Sequence, residues 1–135
     1  MQVYKKILVT VDGSSADKRV LEHVALLARQ NKAKVVILNV VHSHTIDQER
    51  VLHQKAESLL KPYVKKMKDQ GIDVQKLIRS GEPEKEILNE IETNDYDLVA
   101  MGTHGHKWLG DILYGSVSDV LKHKISVPLL LIKAE

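Results

Sequence analysis

Three glycines and two serines in one stretch are spaced so that the chain can hold an anion. In MGTHGHKWLGDILYGSVSD, residues 101–119, stand Gly102, Gly105, the pair Gly115-Ser116, and Ser118. The stretch takes four of the chain's seven glycines, so it has a use for them that the rest of the chain does not. A glycine lets backbone approach a ligand with no Cβ in the way and tolerates positive φ. Successive amides in such a turn make an anion nest. A helix start adds open N–H groups and the positive end of a dipole. Gly102 and Gly105 after an apolar run, followed by Gly115-Ser116 opening a helical pattern, therefore read as a phosphate cradle in two pieces, with the Ser116 and Ser118 hydroxyls as further donors. The plainer reading is a set of tight turns.

Other residues bound that chemistry. There is no GxxxxGK[ST] loop and no GxGxxG, and the first strand-to-helix turn, VDGSS, offers only Gly13. The usual phosphate loop and the dinucleotide fingerprint are thereby disfavoured. Asp12 ends the first apolar run; it reads both as a ligand contact and as a turn carboxylate at the start of the first helix. His42 and His44, like His104 and His106, are two apart on loops with no cysteine nearby, a spacing that fixes no zinc geometry. Solvated or phosphate-facing histidines fit better. Asp12 and His104 are available as a base and a charge stabiliser for phosphoryl transfer, yet nothing in the spacing requires it and no catalytic residue is assigned. For Trp108, stacking on a base, acting as a lid, packing on a second copy and covering an apolar edge all stay open.

The elements that must position these residues are five short aliphatic runs, at 6–11, 34–41, 73–78, 97–102 and 127–132. Four are nearly continuous, as in strands of a parallel sheet covered on both faces. The third, DVQKLI, alternates and belongs nearer an edge. Helical spacing fills the gaps. The first helix covers Ala16–Arg29, with Ser14 or Ser15 as cap and Asp17 in its first turn. A second covers 46–70, with Thr45 and Gln48 as a capping box, Pro62 kinking or splitting it, and Gly71 closing it. A third carries Pro83 in its first turn. A fourth opens at Gly115-Ser116, with Ser116 as cap. The order β-α-β-α-β-α-β-α-β with short links predicts one α/β domain over 1–135, an open sheet with right-handed crossovers. Ligands in such sheets sit beyond the carboxyl ends of the strands where strand order reverses. A reversal between the first and fourth strands places Asp12 and Gly102 on either side of one crevice.

Composition narrows the class. The 135 residues carry 20 basic and 18 acidic side chains, a net charge of +2, which makes no case for a nucleic-acid face. No phenylalanine and 4% aromatic residues leave an aliphatic core. The absence of cysteine fits a reducing compartment. The first apolar run is too short and too polar for a signal peptide, and no run reaches a membrane span. A cytoplasmic protein without membrane attachment is expected. The final run, VPLLLI, contains Pro128, which favours a sheet edge; an apolar edge calls for pairing, and a second copy of the chain would supply it.

With these residues in view the chain resembles the universal stress protein family. Its ATP-binding members carry G-x2-G-x9-G-[S/T] after the fourth strand, matched here by Gly102, Gly105 and Gly115-Ser116, and the similarity extends over KKILVTVDGS, SGEPEKEI, DLVAMGTHG, GSVSDVLKH and VPLLLIK. The resemblance implies a Rossmann-like five-stranded parallel sheet of order 3-2-1-4-5 with helices on both faces. It also implies a homodimer along the last strand (127–132), and ATP in the crevice with Mg2+ or Mn2+ held mainly by the phosphates. By position it implies Asp12 at ribose or adenine-side groups, the Val40 backbone at adenine, and Thr10 and Met101 at the strand ends beside them. Gly102 would lie under the ribose, and Gly105, Gly115, Ser116, Val117 and Ser118 at the phosphates. Thr10 stands where some nucleotide-bound members have proline. His104, His106, Lys107 and Trp108 fill a loop where many have arginine or small residues. The implied role is a stress-response module that reads nucleotide occupancy out to a regulatory partner protein. A slow ATP hydrolase and a nucleotide-free interaction protein are the alternatives.

Overall fold

Runs of Val, Ile and Leu that bury both faces lay down the centre of the sheet. The computed structural model describes residues 2–42, 45–103 and 112–134, the side chains of 112–116 apart. The strands are β1 (Lys6–Thr10), β2 (Lys34–Val41), β3 (Asp73–Ser80), β4 (Leu98–Thr103) and β5 (Leu129–Lys133). They form one parallel sheet in the order β3-β2-β1-β4-β5, as the family resemblance implies. β3 is an edge strand, in keeping with its alternation, and β5 is the other.

Each central strand sends alternate side chains to two cores. Ile7, Val9, Val35 and Ile37 meet α1 (Ala16–Asn31) and α2 (Ile46–Asp69) on one face. Leu8, Val36, Leu38, Val99 and Met101 meet α3 (Pro83–Thr93) and α4 (Ile112–Lys124) on the other. Wholly buried aliphatic side chains of this kind contribute about 1.5–3 kcal/mol each. At the foot of the sheet the Asp97 carboxylate accepts from the Lys5 and Lys6 amides, at 2.7 and 3.0 Å. That contact anchors β1 beside β4, where the strand order reverses.

The helix ends follow local chemistry. Thr45 Oγ1 accepts from the Gln48 amide at 3.0 Å and starts α2. Gly71, at φ +79°, closes it in a Schellman arrangement: the Ile72 amide donates to the Met67 carbonyl, at 3.1 Å, and the Gly71 amide to that of Lys68, at 2.9 Å. Pro83 occupies the first turn of α3.

Two expectations need correction. Pro62 does not split α2, which runs uninterrupted over 24 residues. The ring removes one backbone hydrogen bond, while Leu60 and Met67 on either side are buried against the sheet and hold the helix together. The second concerns α4, which begins at Ile112 rather than at Gly115-Ser116. Ile112, Leu113 and Tyr114 continue the helical run without a breaker, so Ser116 is not its cap. Gly115 and Ser116 lie just inside the helix, and the amides left open at its start begin ahead of them.

Candidate functional site

The tips of β1 and β4 come side by side. Thr10 pairs in register with Met101, so Val11-Asp12, which follow β1, run beside Gly102-Thr103, the last residues of β4, at the topological switch point. The Val11 amide donates to the Leu38 carbonyl at 2.9 Å. The buried Asn39 side chain donates from Nδ2 to the Val11 carbonyl at 2.7 Å. The tip of β1 is thereby stitched to β2 past the last strand residue.

The turn that follows is built by two aspartates. Gly13 takes φ +85°, a conformation favoured by glycine. Asp12 Oδ1 accepts from the Ser14 amide at 2.9 Å, an Asx-type turn. Ser15 is the N-cap residue of α1 but makes no side-chain cap bond, while Ser14 Oγ accepts from the Ala16 amide at 3.3 Å. The stronger device is Asp17, which points back out of the first turn of α1. Its Oδ1 accepts from the Asp12 amide at 3.2 Å and its Oδ2 from the Gly13 amide at 2.8 Å. Asp17 is 1% exposed. Burial and then the neighbouring Asp12 charge push its carboxyl from 3.8 up to about 7, against the pull of the two amides.

Gly102 has a structural compulsion of its own. A Cβ built there would lie 2.5 Å from Ala16 Cβ, closer than real Cβ contacts come. The bare Cα lets the first turn of α1 sit directly on β4. The freedom to approach a ligand, which the sequence assigns to Gly102, is at this face taken up by the protein itself.

A cavity of about 390 Å3 opens between the tips of β1 and β2 and the flank of α2, within the size range of small-molecule sites. Asp12 and Val40 both line it, with Leu52, Ala56 and Leu59 as an apolar wall. The side chains of Thr10, Met101 and Val117 are buried to within 2%, so none of the three offers an exposed side chain to a ligand. Ser118 is half-buried on α4. Gly115 and Ser116 are placed by their backbone within α4. Gly105, His44, His104, His106, Lys107, Trp108 and Gly110 lie outside the described residues. Among the described residues, no three His, Cys, Asp or Glu side chains gather as a metal site, and no helix is long and apolar enough to cross a membrane.

Three participants escaped the sequence reading. Lys55, on α2, lines the same cavity as Asp12 and Val40; on a helix rich in lysine nothing singles it out. Asn39 had a signal, being the lone polar residue inside KVVILNVV. Asp17 was placed in the first turn for its charge, but its return to the Asp12 and Gly13 amides is a tertiary arrangement that no spacing announces.

Comparison with known proteins agrees with this architecture. Universal stress protein YxiE of Bacillus subtilis (strain 168) is 26% identical over 148 residues, covering 97% of this chain and 100% of its own. The solved structure of MJ0577 of Methanocaldococcus jannaschii superposes with a TM-score of 0.86 at 29% identity, covering 98% of each chain. A universal stress protein from Archaeoglobus fulgidus in complex with dAMP, 23% identical, shares the fold with a TM-score of 0.74 over 98% of this chain and 100% of its own. The model of the universal stress protein family matches residues 3–133, and with that match along nearly its whole length the chain belongs to the universal stress protein family.

Proposed function

We propose that the chain binds ATP across the carboxyl ends of β2, β1 and β4 and serves as a dimeric module whose nucleotide occupancy sets its shape or its choice of partner. The observation that carries this reading is the convergence of Asp12 and Val40 on one cavity of about 390 Å3, beside the strand end from which Gly102-x2-Gly105-x9-Gly115-Ser116 runs into α4. The apolar wall suits an adenine ring, Asp12 suits ribose hydroxyls, and Lys55 places a cation in the same cavity. The backbone beside Thr10, Met101 and Gly102 borders the sugar, and Gly105, Gly115, Ser116, Val117 and Ser118 serve the phosphates. Mg2+ or Mn2+ is held by the phosphates in this reading. The dAMP held by the Archaeoglobus fulgidus neighbour supports the fold as a host for adenine nucleotides; the glycine motif brings the reading to this chain.

The test is native mass spectrometry of protein purified without added nucleotide, followed by ATP titration. Co-purified ATP, or saturable ATP binding, is the expected result. ADP alone points instead to hydrolysis. No binding after titration removes the reading.

The dimer in this proposal forms along β5. Leu131 is 43% exposed on a strand with no neighbour beyond it among the described residues. An apolar strand edge left open invites pairing. Light scattering of Leu131→Lys should report a monomer at a concentration where the unsubstituted chain reports a dimer. A variant that keeps the dimer mass moves the interface elsewhere.

A further inference from the structure

We propose that the groove between α1 and α2 is a second binding site, for a small monoanionic amphiphile: a carboxylic acid with an apolar body of about eight carbons, the size set by the cavity volume. The groove shares no lining residue with the cavity at the strand tips, so the proposal does not depend on the nucleotide reading.

The sequence lays out the groove. Lys18, Leu21 and Ala25 on α1 are spaced by three and four residues, and Tyr63, Lys66 and Met67 on α2 share one face in the same way. The two stripes line a cavity of about 270 Å3. Leu21, Ala25 and Met67 are buried and give it an apolar floor. Ala25 is the small member of its stripe, so the helices meet there without filling the space. Leu26 lines the same cavity and is 58% exposed. Exposed apolar surface continuous with an apolar cavity marks a binding site.

Charge narrows the occupant. Lys18 comes from one helix and Lys66 from the other, and Glu22 joins them around the cavity. Among the described residues neither lysine makes an ion pair, whereas the adjacent Lys65 is held by Asp69 at 2.9 Å. A lysine stem lies along apolar surface while its ammonium reaches outward, so both can meet the head of a molecule whose body rests on the floor. Two ammonium groups and one carboxylate leave a single positive charge, which complements a monoanion. A doubly charged phosphate head would leave one negative charge unbalanced beside Glu22.

Size narrows it further. Nine residues line the cavity, against about 20–30 on each side of a stable protein interface, so the occupant is a small molecule. The volume of about 270 Å3 corresponds to about nine water molecules at about 30 Å3 each, room for a medium-length chain or a single ring.

The experiment titrates the isotope-labelled full chain with octanoate and follows amide chemical shifts. The Leu21, Ala25 and Met67 signals should move saturably with a Kd of about 0.1–1 mM, the range that about ten non-hydrogen atoms reach. Butanoate keeps the charge but is too short for the floor, and should bind at least about tenfold more weakly. Octanol keeps the length without the charge, and should bind about fivefold more weakly. Combining Lys18→Met with Lys66→Met retains the stems and removes both charges. That variant should bind octanoate at least about fivefold more weakly and octanol as before. Glu22→Gln should strengthen octanoate binding by about twofold or more. All three side chains are exposed, where substitution leaves the fold intact. Octanoate that moves none of the three amides up to about 10 mM, or that binds the double variant equally well, overturns the proposal. Signals that move at Asp12, Gly13 and Val40 instead place the acid at the strand tips and overturn it too.

Discussion

Gly102→Ala is expected to destabilise the fold by about 3 kcal/mol, at the upper end of the cost of overpacking a rigid site. For a domain of this length that corresponds to a fall of roughly 10 °C in the thermal midpoint. The sign is the informative part. Glycine in a strand is ordinarily a weakness, and alanine there gains about 0.5–1 kcal/mol by restricting the unfolded chain. Here the new methyl would lie 2.5 Å from Ala16 Cβ and 3.3 Å from the Ala16 carbonyl oxygen. Neither atom is the end of a flexible side chain, so the whole first turn of α1 must withdraw. That withdrawal drags Asp17 from the Asp12 and Gly13 amides. Adding Ala16→Gly removes the opposing methyl and should recover most of the loss, less about 1 kcal/mol for glycine in a helix. A single variant that melts within 2 °C of the original would show that β4 and α1 do not depend on this contact.

The second large effect concerns ligand rather than fold. Gly115→Val should weaken ATP binding at least about a hundredfold, the loss of two or more charge-assisted hydrogen bonds at about 1.5–3 kcal/mol each. Gly115 lies three residues into α4, where valine is a better helix former than glycine by a few tenths of a kcal/mol. The helix itself therefore has no reason to suffer. Calorimetric titration against ATP, beside a melting curve, separates the two: the expected outcome is lost affinity at an unshifted midpoint. Unchanged affinity would dismantle the two-piece cradle and leave Gly115 as a helix residue only.

The contrast between these two glycines shows where sequence reading reaches and where it stops. The alternation of strands and helices in a parallel sheet was legible because near-continuous runs such as VVIL and LVAM demand cover on both faces and the helical runs between them supply it; the strand order itself came from the family resemblance. Thr45, Gly71 and Pro83 announced their helix ends because capping is chemistry within a few residues. The start of α4 was not legible, since Gly115-Ser116 resembles a helix start while Ile112, Leu113 and Tyr114 ahead of it are equally sound helix formers. Asp12 and Gly102 were placed beside one crevice because strand tips converge by topology, and Val40 by the family resemblance. Lys55 was not, because its role depends on how α2 lies over the tips of β1 and β2. The motif singled out Gly102 but not its constraint, which is set by Ala16, 86 positions away in sequence.

The first turn of α1 carries one more contact: Arg19 donates from Nη1 to the Lys133 carbonyl on the last residue of β5, at 2.8 Å. Ala16, Asp17 and Arg19 thus bind one rigid turn to β4, to the β1 turn and to the outermost strand. The three residues do not hold separate accounts of free energy. A shift of the turn that relieves one contact disturbs the other two, so substitutions here are non-additive, as for any set of groups sharing one backbone segment. A stability measured for any of them alone is a property of the whole junction, and only cycles of paired variants divide it among them.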